Sequence, residues 1–189
     1  MRFPFWFCGS IYMIGFIVCA QINPNNIDIV RDNYGVPHIF SKTDAELAYG
    51  LAWAHAEDDF KTIQQGYLAG NSLLSDVEGK KALGIDFISQ FIGSDRLYEE
   101  KYLSDVSDEY KAIIEAYCEA INRFAELHPE EVLSKKLFPI NTKSLFLYGQ
   151  LQLFVSSKGD YWVKKILKNK INYNPVNDRV KGSNTFAFN

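Results

Sequence analysis

Residues 27–40 read IDIVRDNYGVPHIF, and this stretch predicts a β-hairpin. Apolar residues alternate before a turn signal at residues 32–35, and a second apolar run, VPHIF, follows it. Because Pro37 has no backbone N–H to give to a strand ladder, the second strand should start at this residue or lie at a sheet edge.

The segment after the hairpin carries the signature of a helix N-terminus. Thr43 and Glu46 have the spacing of a capping box, in which each residue satisfies a backbone N–H of the other. We expect a helix to follow, with Leu47, Leu51 and Ala54 on its buried face.

Two further helices are predicted from apolar periodicity. Ser107 caps the clearest one, which ends at His128-Pro129 and has six apolar positions at helical spacing: Tyr110, Ile113, Ile114, Tyr117, Ile121 and Phe124. Cys118 lies beside this stripe and is interpreted as a small buried hydrophobe. Residues 144–155 are mostly apolar and predict a buried helix, although the alternation at 151–153 leaves a strand open. The fold class is therefore α+β, mainly helical with an N-terminal hairpin.

The C-terminal residues 181–189, KGSNTFAFN, combine a Gly-Ser bond with a strand-like run. The Ser183 hydroxyl is placed to attack the carbonyl of Gly182 through a five-membered ring, and Gly182 has no Cβ to obstruct a strained peptide. Cleavage would free the α-amine of Ser183, whose reference pKa of roughly 7.7–8.0 suits a general base. One residue would then supply both nucleophile and base. The run stops at Asn189 within its alternating pattern, so we expect the natural polypeptide to continue.

Three ordered motifs carry a resemblance to a known family. Residues 30–39 read VRDNYGVPHI, residues 49–59 read YGLAWAHAEDD, and Gly-Ser-Asn occupies 182–184. Together they resemble the penicillin acylase family of N-terminal nucleophile hydrolases, which includes penicillin, cephalosporin and acyl-homoserine lactone acylases. The resemblance runs from about Ile27 to Phe188, with a departure at Asp59, where many relatives carry arginine.

The resemblance implies a four-layer αββα fold in the complete enzyme. Residues 21–157 would form an α-chain, residues 158–182 a spacer, and residues 183–189 the start of a β-chain that remains its heterodimer partner. Gly182-Ser183 would be the processing site and Ser183 the catalytic residue. The reaction implied is hydrolysis of the amide of a small N-acyl compound, such as a β-lactam antibiotic or an acyl-homoserine lactone. Oxyanion donors would lie beyond Asn189, so the 189-residue chain is expected to be inactive.

Charge is distributed unevenly along the chain. Residues 21–157 contain 12 basic and 21 acidic residues, whereas residues 158–182 contain 7 basic and 2 acidic ones. The second stretch, which is rich in asparagine, is interpreted as a weakly ordered, exposed connector. Binding of nucleic acid or anionic lipid by this stretch is not favoured, because its aromatic residues are confined to Tyr161, Trp162 and Tyr173 and residues 1–20 are interpreted as a secretory signal.

The first 20 residues are interpreted as a signal peptide. Residues 3–20 carry no charge, follow Arg2, and end in Val18-Cys19-Ala20 before Gln21. The expected location is therefore periplasmic or secreted, with no membrane association after cleavage. A retained membrane anchor is the alternative, since 18 uncharged residues are just long enough to span a bilayer.

No metal site is predicted, and no cofactor. Glu57, Asp58 and Asp59 are adjacent on a helix and should point in three directions, and His55 is expected to pack or form a hydrogen bond. Members of the family often hold calcium through a glutamate near the α-chain end. No glutamate follows Glu131 here, and Asp160 is the only acid nearby, so calcium is left open for the complete enzyme alone.

A second function class stays open from the sequence alone. The chain could be a non-enzymatic exported helical domain that binds a partner through its apolar helices. A long strand-rich continuation of the coding sequence after Asn189 would favour the acylase, and an early stop codon would favour the binding domain.

Overall fold

The structure is a computed structural model that describes residues 22–168. Strands β1 (Asp28–Arg31) and β2 (Pro37–Phe40) pair antiparallel, with Asp28 opposite Phe40 and Arg31 opposite Pro37. Seven α-helices follow within the described residues: α1 Asp44–Gly70, α2 Leu74–Glu78, α3 Leu83–Ile92, α4 Ser94–Asp105, α5 Asp108–Leu127, α6 Thr142–Ser156 and α7 Gly159–Leu167. Short 3₁₀ turns lie at Pro24–Asn26, Gly79–Ala82 and Pro129–Glu131. The predicted class, mainly helical with an N-terminal hairpin, is confirmed.

The hairpin turn is built around the Asp32 carboxylate. Its Oδ1 accepts the backbone N–H groups of Tyr34 at 2.8 Å and Val36 at 3.0 Å, and these bonds hold the pKa of Asp32 below its usual value. Gly35 adopts a φ of 81°, a conformation that glycine reaches without a Cβ clash. The turn chemistry read from residues 32–35 is thus confirmed.

Helix α1 begins at the predicted capping box and bends once. Thr43 Oγ1 accepts the Glu46 N–H, and the Glu46 carboxylate accepts the Thr43 N–H in return. At Asp59 the backbone leaves the helical region, with φ −159° and ψ 71°. The Asp59 Oδ1 accepts the Thr62 N–H at 3.0 Å, so this carboxylate caps the second half of the helix.

The core lies between α1 and α5 and uses small residues where the helices meet. Four alanines of α1 and α5 are 0–2% exposed: Ala52, Ala54, Ala56 and Ala120. Phe60 fills the centre, 4.9 Å from the Phe124 ring, and the Trp53 ring meets Phe124 edge-on at 5.4 Å. The prediction that Leu47 and Leu51 are buried is wrong, since both are at least 40% exposed. Alanine lets the two helices approach closely, so the small residues face inward.

Helix α6 crosses α1 at two glycines. A Cβ on Gly66 would lie 2.8 Å from the Tyr148 ring, and one on Gly70 would lie 2.5 Å from the Tyr148 Cα. The Tyr67 ring packs edge-on against Tyr148 at 5.3 Å in the same contact. Gly70 therefore permits a backbone-to-backbone approach that no larger residue allows.

The two helices predicted downstream are present. Helix α5 is capped by Ser107 and ends at His128, and Cys118 is buried, which raises the pKa of its thiol to about 12. Residues 144–155 lie in α6, which settles the strand alternative, but the helix is not buried along its length. Leu153 is 62% exposed.

One secondary-structure prediction for the connector is corrected. Residues 159–167 form helix α7, where the sequence was interpreted as weakly ordered. The spacing of Trp162 and Lys165 brings the Lys165 ammonium 5.1 Å from the indole centroid. The helix was not predicted because the excess of basic residues in this segment was interpreted as a sign of weak order. Within residues 22–168 no helix is both long and apolar enough to cross a bilayer.

Candidate functional site

The predicted processing site, Gly182-Ser183, lies outside the described residues. So do the predicted signal peptide and residues 169–181 of the predicted spacer. The structure does describe the first two sequence motifs and the surface formed by α3, α6 and the start of the predicted spacer.

The two motifs meet at the side of α1. Arg31, at the end of β1, places its Nη2 3.2 Å from Glu57 Oε2 and 2.8 Å from Asp58 Oδ1. The two carboxylates raise the pKa of the guanidinium, chiefly because it donates a hydrogen bond to Asp58. Trp53 Nε1 donates to the other Glu57 oxygen at 2.9 Å. The acidic run therefore fixes the hairpin to the helix.

The Tyr49-Gly50 pair explains why the hairpin sits where it does. A Cβ on Gly50 would lie 2.7 Å from Ile39 Cγ2 and 2.9 Å from Ile27 Cγ2, so the glycine makes room for the hairpin's inner face. Tyr49 beside it is 4% exposed. The motif residues thus hold the hairpin on α1 by shape as well as by charge.

The histidines of the motifs have structural partners. His38 Nε2 lies 3.3 Å from Asp32 Oδ2, inside the hairpin. His55 Nδ1 lies 3.3 Å from the Tyr117 hydroxyl, which connects α1 to α5. His55 is exposed, so the expected hydrogen bond is present but not buried. Neither contact supplies a nucleophile paired with a base.

The three carboxylates of the acidic run have protein partners. Glu57 and Asp58 bind Arg31, while Asp59 caps the second half of α1. The expectation that the three carboxylates point in three directions is therefore wrong for Glu57 and Asp58, which converge on Arg31 Nη2, whereas Asp59 points elsewhere. The side chain of Asp160, the acid considered for calcium, is outside the described part of the structure.

An apolar groove lies between α1, α3, α6 and α7. It encloses about 840 Å³, and most of its wall is made of side chains from α3 and α6: Ile85, Phe87, Ile88, Leu151 and Val155. Phe87 is 59% exposed and Phe91 on the same helix 65%. The groove can bury an apolar group or another protein segment, and its lining offers no acid–base pair for catalysis.

The sequence analysis did not identify this groove. The signal was present in residues 83–92, LGIDFISQFI, where six of ten residues are large and apolar. A helix that is apolar on more than one face is normally buried on more than one face, so this composition indicates a further contact surface on α3.

Comparisons with known proteins agree with the fold and the motifs. The chain is 25% identical over 128 residues to penicillin G acylase of Escherichia coli, covering 62% of this chain and 14% of that protein. It spans, therefore, only a small part of that relative. The structure is similar to that of thermostable penicillin G acylase from Alcaligenes faecalis, with a TM-score of 0.58 and 16% identity over 86% of this chain and 98% of the other.

The sequence profile of the penicillin amidase family matches residues 26–189. This range contains all three motifs, from the hairpin to Gly-Ser-Asn at 182–184. The match covers most of the chain. We conclude that the chain belongs to the penicillin amidase family.

Proposed function

We propose that the complete protein hydrolyses the amide bond of a small N-acyl compound and that Ser183 is its nucleophile. The observation that carries this proposal is the family match over residues 26–189, which runs through the Gly182-Ser183 bond. A β-lactam antibiotic or an acyl-homoserine lactone represents the substrate class.

The proposed chemistry has two stages. First, the Ser183 hydroxyl attacks the Gly182 carbonyl, the peptide C–N bond breaks, and the acyl group moves to the Ser183 oxygen as an ester, which frees the Ser183 amine. Water then hydrolyses the ester, which leaves Gly182 with a free carboxylate and restores the Ser183 hydroxyl. In the mature enzyme the same hydroxyl attacks the substrate amide carbonyl, and its proton passes through water to the Ser183 α-amine. The α-amine then gives this proton to the substrate nitrogen as the C–N bond breaks and the product amine leaves. Water then releases the acid from the acyl-enzyme.

The partner in this proposal is the polypeptide that follows Gly182, as a β-chain. The exposed apolar side chains of α3 and α6 support such a partner, because a chain spanning 14% of its relative presents surfaces that the remainder can cover. Oxyanion donors would come from that remainder, so the 189-residue chain alone should show no amidase activity.

Replacement of Ser183 by alanine in the full-length protein tests the nucleophile. The variant lacks the attacking oxygen, so we expect one uncut polypeptide on a denaturing gel and no hydrolysis of N-acyl substrates. Ser183→Cys should still be cleaved in part, since a thiol can make the same acyl shift, while its turnover falls. Gly182→Val is the control for crowding at the bond and should slow processing alone. Normal processing of Ser183→Ala into two active chains would disprove the assignment.

We also propose that residues 1–20 are removed on export and that residues 158–182 act as a spacer. The uncharged run before Gln21 and the charge reversal after residue 157 support these assignments. Mass spectrometry of exported protein should find a chain that starts within a residue or two of Gln21. A product that retains residues 3–18 would instead indicate a membrane anchor.

A further inference from the structure

Three potential metal ligands converge just after the end of α5, away from the motifs of the family. His128 Nδ1 lies 3.7 Å from Glu130 Oε1 and 3.6 Å from Glu131 Oε1. One ligand atom from each of the three residues lies within 4.8 Å of the other two. The sequence HPEE places them within four consecutive residues, separated only by Pro129.

The electrostatics of this cluster call for a cation. Both carboxylates are acceptors, and the neutral form of an imidazole offers a lone pair as well. Within residues 22–168, the ion pairs of Glu130 and Glu131 involve only His128. The cluster also follows the C-terminus of the 20-residue helix α5, where the helix dipole favours positive charge. A proton or a metal ion between the three groups would relieve their repulsion.

The backbone of the cluster is held from the core side. The His128 ring stacks on the buried Phe124 ring at a centroid distance of 4.2 Å, and the His128 N–H donates to the Phe124 carbonyl at 2.9 Å. The Glu131 carbonyl accepts from the fully buried Gln64 amide at 3.0 Å. The Glu131 N–H donates to the His128 carbonyl at 3.0 Å. The ligand-bearing residues therefore have fixed relative positions before any ion arrives.

The side chains remain accessible to solvent. His128 is 37% exposed, Glu130 70% and Glu131 50%. In a tetrahedral zinc site with metal–ligand distances of about 2.0–2.2 Å, the ligand atoms lie about 3.3–3.6 Å apart. The two distances from His128 already match this spacing to within a few tenths of an ångström, and rotation of the exposed glutamates can close the third.

We propose that His128, Glu130 and Glu131 form a surface binding site for one divalent transition-metal ion, with Zn²⁺ as the best match. An imidazole nitrogen with two carboxylates suits zinc and its neighbours, whereas Ca²⁺ prefers six to eight oxygen ligands. Two carboxylates also balance the charge of a divalent ion. Three protein ligands leave a fourth position for water. The site is independent of Ser183 and of the amide chemistry proposed above.

Calorimetric titration of the purified protein with zinc chloride at pH 7.5 tests the site. We expect one ion per chain and affinity at least about tenfold weaker in His128→Gln, Glu130→Gln and Glu131→Gln, since even outer-sphere changes cost 10–100-fold at zinc sites. His38→Gln and His55→Gln are matched controls, because His38 faces only one carboxylate and His55 a tyrosine hydroxyl. Both controls should bind zinc as the unaltered protein does.

Two further measurements separate a metal site from a simple ion pair. Zinc should shift the ring resonances of His128 and leave those of His38 unchanged. Calcium should shift neither set of resonances. Affinity should fall as the pH is lowered, because metal ligands must be deprotonated to bind. Circular dichroism should show that the glutamine variants remain folded. The proposal is overturned if no binding occurs up to millimolar zinc, if His128→Gln binds normally, or if the two control variants lose binding equally.

Discussion

Two regions of this molecule contain similar apolar residues but treat them in opposite ways. Between α1 and α5, Phe60 is 2% exposed and packs against Phe124. On α3, Phe87 is 59% exposed, and its stacked neighbour Phe91 is 65% exposed. The first region is completed within residues 22–168, whereas the second has no covering element in that part of the chain. The difference shows which contacts this chain makes for itself and which surface it leaves for the proposed β-chain.

Buried polar side chains also distinguish the packed region around α1 from the exposed outer side of α3. Around α1, the buried Gln64 amide donates to the carbonyl of Glu131 and accepts from the Leu133 N–H at 2.8 Å, so a loop is tied directly to the core. Asp86, on the inner side of α3, accepts from the N–H groups of Leu74 and Ser75. The outer side of α3 carries the exposed phenylalanines instead. Helix α3 is thus anchored on one face and open on the other.

Truncation of one phenylalanine in each region should sharpen this comparison most. Phe60→Ala should lower the free energy of unfolding by about 3–5 kcal/mol, because it leaves a cavity among packed aromatic rings. Phe87→Ala should change it by less than about 0.5 kcal/mol, as for other surface positions. Urea denaturation followed by circular dichroism measures both. Equal losses would mean that the α3 face is packed in solution and would break the comparison.

Gly70 on α1 and Gly149 on α6 differ in the space around them, so alanine should have opposite effects on stability at the two positions. Gly70→Ala should destabilise the chain by about 1–3 kcal/mol, because the added methyl group meets the Tyr148 backbone. Gly149, one residue further along α6, has no atom within 4 Å of a built Cβ. Gly149→Ala should therefore stabilise the helix by about 0.5–1 kcal/mol. Thermal melts of both variants give the two signs, and a stabilising Gly70→Ala would show that α1 and α6 are further apart.

The smallest expected effect is a change in pH dependence at the start of α1. The Glu46 carboxylate accepts the backbone N–H of Lys42, which is the main cause of its lowered pKa, and the side-chain amide of Asn26. A lowered folded-state pKa adds stability above the unfolded pKa of roughly 4.3, and this stability is lost as the pH falls through the folded value.

Glu46→Gln should therefore flatten the decline in stability between about pH 5 and pH 3. Glu100→Gln is the control, since the Glu100 carboxylate lies 3.9 Å from Arg96 on the exposed surface of α4. Urea midpoints measured across this range test the prediction. A slope unchanged in Glu46→Gln but altered in Glu100→Gln would reverse the assignment.

Local signals in the sequence predicted the elements that depend on local chemistry. The turn around Asp32, the capping box of Thr43 and Glu46, and the end of α5 at His128 all involve residues within four positions of each other. Hydrogen bonds of this kind can be read from spacing. The hairpin and the starts of α1 and α5 were predicted for this reason.

Burial was harder to predict because it depends on distant partners. Leu47 and Leu51 are more apolar than the alanines of α1, yet the alanines lie inside because α5 and the hairpin approach that face. Residues 144–155 form a helix as expected, but Leu153 and Val155 in it are more than half exposed. The convergence of His128 with Glu130 and Glu131 depends on a turn held by Gln64, far away in sequence. The proposed nucleophile, by contrast, came from a motif alone.

The placement of Trp53 has a spectroscopic consequence. Its indole lies edge-on to Phe124 at the centre of the α1–α5 interface, and its Nε1 is bonded to Glu57, which also binds the hairpin through Arg31. Opening of either contact would move the ring into water and shift its emission to longer wavelength. The other two tryptophans are Trp162 on α7 and Trp6 in the predicted signal peptide, so both can be exchanged for phenylalanine without altering a residue of that interface. Trp53 is thus an intrinsic fluorescence probe for the association of the hairpin with the two long helices.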